Sequence, residues 1–275
     1  MIIDGRKISA EILQQLKKEL AALSFRPKLV DVLVGDDPVT ESYVRIKSKR
    51  AAEIGVDFEI KHFPNTITQQ ELEVEIEKIN QIENIRGLIV QLPLPEHLDK
   101  QKILDQINPK IDVDMICSQN ANAFYNGTAK MLPPTAAAVI GLLESVEPNL
   151  EGKNILVIGA GDLVGKPSAF LLKQKGAIVT VADKETADLI TPAQQAEIIV
   201  SGTGVAKLIG SNMVNSNSIV IDAGTAESAG GIAGDADFEA VKDLVKAISP
   251  VPGGVGPLTV AMLLKNVVIA SKSVN

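Results

Sequence analysis

The stretch from Lys153 to Thr186 constrains the fold of this chain more than any other part of it. Asn154 to Ile158 is a short run rich in Ile and Val, as expected of a buried parallel strand. The turn Gly159-Ala-Gly-Asp-Leu-Val-Gly165 follows directly, and Pro167 to Lys175 predicts a helix. Ala177 to Ala182 then predicts a second strand. This order is a βαβ unit, the building block of α/β folds with a parallel sheet.

The glycine turn in this unit predicts a dinucleotide site. Gly159, Gly161 and Gly165 lie where a pyrophosphate approaches the backbone, and the helix that follows offers unpaired N–H groups at its N-terminus. Asp183 ends the second strand, roughly 20 residues after the glycines, where an acidic residue would bind ribose hydroxyls. The alternative is an ordinary βα turn with Asp183 as a solvated strand-end residue.

Strand and helix patterns alternate along the rest of the chain as well. Strands are predicted at residues 28–34, 56–63, 87–92, 197–200 and 218–221, and helices at 8–23, 39–54, 69–80, 96–107, 135–143 and from 258. Asp37 is a candidate N-cap for the second helix, with Pro38 as its first residue. Leu132-Pro-Pro134 has the composition of a hinge between domains.

Composition and charge narrow the class of ligand. A net charge of −7 without a basic block argues against nucleic acid or an anionic membrane as partner, and 45% hydrophobic residues suffice for real cores. The single Cys117 excludes an internal disulfide, and His62 and His97 lack ligand-like neighbours, so no metal site is expected. Without a signal-like N-terminus or a long apolar run, cytoplasmic residence and small-molecule ligands are the expectation.

Five separated motifs carry a resemblance to a known family. They are VGDDPVTESYVRIKSKRAAEIGV, GLIVQLPLPEHL, INPKIDVD, the glycine turn with VGKP, and SPVPGGVGPLTVAML. In this order the chain resembles the bifunctional methylenetetrahydrofolate dehydrogenase/methenyltetrahydrofolate cyclohydrolase (FolD-like) family over nearly its whole length. The resemblance implies two α/β domains around a cleft, and usually a homodimer. The catalytic, folate-binding domain would be residues 1–134, completed by a C-terminal helix at 255–275, and residues 135–254 would form a Rossmann-like NAD(P)-binding domain.

The resemblance also implies an activity in one-carbon metabolism and purine biosynthesis. It is oxidation of 5,10-methylenetetrahydrofolate to the methenyl compound with NAD(P)+, followed by hydrolysis to 10-formyltetrahydrofolate. Lys47 matches the catalytic lysine, Gln91 the glutamine that hydrogen-bonds it, Tyr43 the tyrosine that packs on the folate, and Asp114 the aspartate that binds the pterin. Tyr43 and Lys47 stand four residues apart, so they share one helix face.

Two further sets of residues are predicted to bind substrate and cofactor. A loop before the last helix is predicted to line the folate site with Pro252, Gly253, Gly254 and Pro257. The cofactor set is Gly159, Ala160, Gly161, Gly165, Asp183, Lys184, Gly204 and Thr225. Each residue alone also has an ordinary structural explanation, such as a solvated helix lysine for Lys47. A protein that keeps only one of the two activities, or a catalytically silent folate or nucleotide-binding protein, remains an alternative.

The chain departs from the family pattern at the cofactor turn. The family usually has Gly-Arg-Ser where this chain has Gly159-Ala160-Gly161, and Cys-His-Ser where it has Ala182-Asp183-Lys184. Arginine suits a 2′-phosphate, whereas a carboxylate at Asp183 repels that phosphate and accepts hydrogen bonds from free ribose hydroxyls. We therefore expect NAD rather than NADP, with Lys184 as the residue that could reverse the preference.

Two more departures concern the folate side. Met115 replaces a glycine after Asp112-Val-Asp114, which suggests a bulky side chain at a place of close approach or special backbone angle. Pro133-Pro-Thr-Ala-Ala-Ala138 replaces a Pro-Cys-Thr-Pro-x-Gly segment. Substrate choice could have drifted at these positions.

Overall fold

The computed structural model describes residues 1–36, 38–228 and 231–273. They divide into two compact units. The first unit consists of Glu11–Pro134 and the segment that begins at Val260, and the second consists of Met1–Ala10 and Thr135–Thr259. Residues 1–10 and 255–259, which the sequence assigned to the catalytic domain, therefore group with the second unit.

The first half of the chain alternates helices and strands. Its elements are α1 (Gly5–Ala21), β1 (Lys28–Val34), α2 (Pro38–Ile54), β2 (Asp57–Phe63), α3 (Gln69–Asn80), β3 (Ile85–Val90), α4 (Lys100–Asp105) and α5 (Ser118–Tyr125). Pro38 is the first residue of α2, as expected, whereas the proposed cap Asp37 lies outside the described residues.

The sheet of the first unit is parallel, with the strand order β2-β1-β3. Because β1 is the central strand, its residues from Leu29 to Leu33 are all buried. α3 covers the sheet with Leu72, Ile76 and Ile79, whose spacing forms one apolar stripe. Each of these fully buried aliphatic side chains contributes roughly 1.5–3 kcal/mol to stability. Thr68 and Glu71 form a reciprocal capping box that fixes where α3 begins.

The remaining elements are introduced in chain order. They are α6 (Pro134–Glu144), β4 (Asn154–Ile158), α7 (Gly165–Gln174), β5 (Ile178–Ala182), α8 (Ile190–Gln195), β6 (Ile198–Ser201), β7 (Ile219–Asp222), β8 (Ala226–Ser228), β9 (Gly231–Ala233), α9 (Phe238–Val241), β10 (Ala247–Ile248) and α10 (Val255–Lys272).

The second unit has a five-stranded parallel sheet with the order β10-β7-β6-β4-β5. The chain places β5 on one side of β4 and β6 on the other, so the winding direction reverses at β4. In doubly wound sheets a ligand binds beyond the carboxyl ends of the strands at such a reversal. The glycine turn follows β4 at this point, which confirms the α/β fold with a Rossmann-like parallel sheet.

The last helix, α10, is long and apolar. Among the described residues it alone has the length and composition of a membrane-crossing helix. Of its residues from Val255 to Lys272, 61% are buried inside the protein. Leu258, Leu264 and Val267 are fully buried. A core helix of a soluble protein passes the same test and is mostly buried in this way.

Some elements differ from the sequence-based predictions. α4 begins only at Lys100, not at Glu96, because the Asp99 side chain caps it by accepting a hydrogen bond from the Lys102 N–H at 3.2 Å. Elements that were not predicted are short: α5, α8, α9, β10 and the antiparallel pair β8 and β9.

Candidate active site

A buried acidic residue, Asp31, lies in the middle of the central strand β1 of the first unit. Its side chain is fully buried, and its register partners on β2 and β3 are Ile60 and Ile89. Asp31 Oδ2 contacts Lys47 Nζ at 2.8 Å, and Asp31 Oδ1 accepts a hydrogen bond from Gln91 Nε2 at 2.6 Å. Both carboxylate oxygens are therefore engaged by side chains from neighbouring elements.

Lys47 lies on α2 and is itself only 9% exposed. A lysine this buried needs a compensating charge, because transfer of an isolated ammonium out of water is very unfavourable. Asp31 supplies that charge. Tyr43, one turn earlier on the same helix, is partly buried. The structure thus places the predicted lysine and tyrosine on one face of α2.

The structure changes the expected role of Gln91. Gln91 follows β3, and its backbone N–H still pairs with Val32 O at 2.9 Å, so the residue is held at the strand end. Its side-chain amide donates to Asp31, and the carboxylate is what contacts Lys47. The predicted arrangement, a neutral glutamine bonded directly to the lysine, is therefore replaced by a link through Asp31. Asp31 itself was missed by the sequence analysis, although a lone acid inside KLVDVLV was a signal.

A tight loop presents Asp114. Asp112 is fully buried, and its carboxylate accepts hydrogen bonds from Ile116 N at 3.3 Å, Cys117 N at 3.0 Å and Asn120 Nδ2 at 3.0 Å. Asp112 therefore organises the backbone that carries Asp114. Met115 in this loop has a φ of 61°, the left-handed region that favours glycine, so the special backbone angle expected there is present.

Asn266 on α10 fixes the same region from the other side. Its Nδ2 donates to Val113 O and to Leu132 O, each at 2.8 Å, and the residue is 3% exposed. A buried amide that bridges two otherwise separate backbone segments restrains both. The loop that presents Asp114 is thus held by Asp112 from within and by α10 from outside.

The charges of this cluster act on one another. Burial raises the pKa of Asp31, while the positive charge of Lys47 and the hydrogen bond of Gln91 oppose that rise. Burial also raises the pKa of Asp114 to about 7; Lys47 lowers it, and the negative charges of Asp112 and Asp31 raise it further. Asp114 can therefore exchange a proton near neutral pH. Burial, followed by the charge of Asp112, raises the pKa of Cys117 to about 12, which makes that thiol a poor nucleophile.

The glycine turn of the second unit has the geometry of a phosphate cradle. Gly159 has a φ of 100°, and a Cβ on Gly165 would lie 1.7 Å from Gly159 O. A Cβ on Gly161 would meet nothing within 4 Å, so this part of the turn is open. The residue before α7, Val164, makes no side-chain cap hydrogen bond. The unpaired N–H groups expected at the start of α7 are mostly absent, because Lys166 N donates to Gly161 O at 3.0 Å, Ser168 N donates to Val164 O at 3.0 Å, and Pro167 has no N–H. The open side of the turn at Gly161 is what fits a dinucleotide.

The predicted cofactor residues fall around this turn. Asp183 follows β5, next to Gly159, whose N–H pairs with Ala182 O at 2.8 Å. Asp183 and Lys184 are exposed, and Asp183 Oδ1 also accepts a hydrogen bond from Glu185 N at 2.9 Å. A Cβ on Gly204 would lie 3.5 Å from Thr225 O, so these two predicted residues are close to each other. Ala160 lies partly buried within the turn.

Two buried carboxylates that the sequence analysis did not single out support the neighbouring strand ends. Asp235 Oδ2 accepts hydrogen bonds from Ser201 Oγ at 2.6 Å and Thr203 N at 2.7 Å. Asp222 accepts from the N–H groups of Asp235 at 3.1 Å and Ala236 at 2.8 Å, and burial raises its pKa to about 6. They fix the loops after β6 and β7.

The loop predicted to line the folate site packs on the N-terminal residues of the second unit. Arg6 Nη2 donates to Pro252 O at 3.4 Å, and Ser9 Oγ donates to Pro257 O at 2.9 Å. Gly253 has a φ of 125°, and the backbone of Gly254 approaches Gly5 so closely that a Cβ there would lie 1.9 Å from Gly254 O. The role of this loop in folate binding stays a prediction.

No group of three or more His, Cys, Asp or Glu side chains suited to a metal occurs in residues 1–36, 38–228 and 231–273.

Comparison with known proteins gives the same family for both halves of the chain. Residues 3–114 match the tetrahydrofolate dehydrogenase/cyclohydrolase catalytic domain, and residues 133–275 match the NAD(P)-binding domain of that family. The bifunctional protein FolD of an Exiguobacterium species is 40% identical over 276 residues, with 99% of each chain covered.

Solved structures agree. The bifunctional FolD methylenetetrahydrofolate dehydrogenase/cyclohydrolase of Campylobacter jejuni is 39% identical, with a TM-score of 0.95 and 99% of each chain covered. The Trypanosoma brucei enzyme, solved with NADP and an inhibitor, is 34% identical with a TM-score of 0.95, covering 99% of this chain and 97% of its own. This chain therefore belongs to the tetrahydrofolate dehydrogenase/cyclohydrolase family.

Proposed function

We propose that this protein oxidises 5,10-methylenetetrahydrofolate to 5,10-methenyltetrahydrofolate with NAD(P)+ and hydrolyses the product to 10-formyltetrahydrofolate. The observation that carries the proposal is the buried Lys47, held at 2.8 Å by Asp31 on the face of α2 that also bears Tyr43. An ammonium group held in this way near Asp114 has no evident structural purpose in a core. Lys47 instead places a hydrogen-bond donor in the site, and the relatives compared above are named as bifunctional enzymes.

Each unit contributes a distinct part of this chemistry. The turn from Gly159 to Gly165, which is open at Gly161, binds the pyrophosphate. When bound, the nicotinamide supplies the hydride acceptor. In the first unit Asp114 exchanges hydrogen bonds with the pterin, and Lys47 orients the water used for hydrolysis. In contact with the Asp31 carboxylate, the Lys47 amine is placed to donate a hydrogen bond that holds the water oxygen.

The two reactions are separable by absorbance. Reduced nicotinamide reports oxidation, and loss of the methenyl compound reports hydrolysis, each followed with NAD or with NADP. We expect Lys47→Met to abolish hydrolysis while the protein stays folded. Lys49→Met, two residues along α2 at an exposed position, is the matched control and should keep both activities. Retained hydrolysis in Lys47→Met would remove the lysine from its role, and absence of one reaction in the wild type would favour a protein with a single activity.

We infer that NAD is preferred over NADP. The exposed carboxylate of Asp183 lies beside the glycine turn, and Ala160 and Gly161 bring no positive charge to it. A 2′-phosphate would be repelled there, whereas ribose hydroxyls would find an acceptor. The ratio of kcat/KM for the two cofactors tests this inference, and a clear preference for NADP would contradict it.

We also infer a homodimer that resides in the cytoplasm. β5 is an edge strand of the second sheet, and its Ile178 and Val181 are 59% and 41% exposed. Apolar residues on an open edge favour a covering partner, and a second copy is the simplest one. Sedimentation equilibrium tests the dimer: a monomer at micromolar concentration would contradict it.

A further inference from the structure

The position of Asp31 is unusual for a carboxylate. It occupies the central strand of a three-stranded sheet, fully buried, with Ile60 and Ile89 as its register neighbours. Packing alone would be served by a Val or Leu at this point, as at the other buried positions of β1. The carboxylate therefore owes its place to the polar groups that it meets, Lys47 and Gln91.

We propose that Asp31 is the positioning residue of the active site: it is the fixed counter-ion of Lys47, which it holds in place and whose charge it cancels. Gln91 donates a hydrogen bond to the second carboxylate oxygen of Asp31 at 2.6 Å. This hydrogen bond sets the rotation of the carboxylate towards Lys47. Asp31 acts through Lys47, because both of its oxygens are occupied and it is fully buried. The proposal rests on the proposed function for its catalytic consequences, though not for the pairing itself.

The other acidic residues of the site do not serve as the counter-ion of Lys47. Asp112 faces the cluster from the loop after α4, yet its carboxylate is used by the backbone of Ile116 and Cys117. Asp114 lies on the same loop, and the charges of Lys47, Asp112 and Asp31 affect its pKa without a contact with Lys47 like that of Asp31. Asp31 is the carboxylate in ion-pair contact with Lys47 among the residues the structure describes.

The reaction gives a reason for cancelling the charge. Oxidation removes a hydride from the methylene bridge of the folate and leaves a positive charge shared by N5 and N10. An uncompensated ammonium nearby would oppose that charge, whereas an ammonium paired with a carboxylate does so much less. In the hydrolysis, the water oxygen bonds to the bridge carbon and the bond from that carbon to N5 breaks. One proton of the water remains on N5, and the other is released to solvent.

The test uses the full-length protein and the substitution Asp31→Asn, which keeps the shape and removes the charge. We expect the dehydrogenase kcat at pH 7 to fall at least about tenfold. Asp31→Glu, which keeps the negative charge opposite Lys47, should retain more of this rate than Asp31→Asn. The dissociation constant of the nicotinamide nucleotide should stay within about twofold, because it is bound by the second unit. If the role of Asp31 were merely structural, Asp31→Asn, the closer match in shape, would be at least as active as Asp31→Glu, and that result would overturn the proposal.

A double-mutant comparison keeps the proposal decidable if Asp31→Asn folds poorly. In the Lys47→Met background, Asp31→Asn should change the residual dehydrogenase rate by less than about twofold, because its partner is gone. The double variant should also unfold at a higher denaturant concentration than Asp31→Asn alone, since it leaves no unpaired buried charge. Additive effects on the rate or on stability would overturn the pairing. A wild type without either reaction would refute the proposed function, and the stability comparison would still decide the role of Asp31 as counter-ion.

Discussion

Replacement of Asp114 by Asn should stabilise the protein at neutral and alkaline pH. Burial raises the pKa of Asp114 from 3.8 to about 7. A carboxyl group whose pKa is raised by folding favours the folded state only in its protonated form. Its ionisation therefore costs stability progressively as the pH rises from about 4 through 7, and the cost is complete above that.

The magnitude follows from the size of the shift. Each pKa unit corresponds to about 1.4 kcal/mol, so a rise from 3.8 to about 7 corresponds to roughly 4 kcal/mol. Asp114 is partly exposed, and solvent screening therefore reduces the expected cost of its ionisation to about 2–4 kcal/mol. Asn imitates the protonated acid. The difference in unfolding free energy between Asp114→Asn and the wild type should be near zero at pH 4 and should reach this value at pH 8.

Urea denaturation at pH 4, 5, 6, 7 and 8, followed by circular dichroism, measures that difference. Glu11→Gln, an exposed position on α1, is the control for removing one charge and should change stability little at any pH. A difference between Asp114→Asn and the wild type that is independent of pH would refute the reasoning, because the effect would then not come from ionisation of Asp114.

Three further predictions concern the turn, the loop and the cofactor. Gly165→Ala should abolish nucleotide binding, measured by fluorescence titration, because its methyl group would lie 1.7 Å from Gly159 O; Gly161→Ala, where a Cβ meets nothing within 4 Å, should bind much better. Asp112→Asn should lose at least one of the hydrogen bonds that hold its loop, lowering stability by about 1–3 kcal/mol and raising the KM for folate without affecting nucleotide affinity. Asp183→Ser should shift the kcat/KM ratio towards NADP by about tenfold, and an unchanged ratio would remove Asp183 from cofactor selection.

Much of the fold could be predicted because it depends on local pattern. β1, α3 and β4 have the bounds that apolar periodicity and turn residues indicated. α5 and α8 were missed because helices of 8 and 6 residues are too short to show a clear apolar stripe. The same holds for β10, which has only two residues.

The site was less predictable because its central contact is not local. Asp31 meets a lysine from the following helix and a glutamine from beyond the third strand, and only the parallel sheet brings them together. Read along the sequence, a lone acid in an apolar strand looks like an interruption. The direct hydrogen bond from Gln91 to Lys47 was expected from the family resemblance, and the spacing of these residues does not show that a carboxylate lies between them.

The bridge from Asn266 to Val113 O and Leu132 O has a consequence for how the chain is made. The first unit is discontinuous in sequence: residues 11–134 leave the ribosome before residues 135–259, and the segment from Val260 follows only after these. The loop that presents Asp114 therefore waits for α10 while the whole second unit is synthesised. The strands of both parallel sheets, which end at Val90 and Ile248, are made before Asn266, so we expect the folate side to reach its final shape only once α10 has been added.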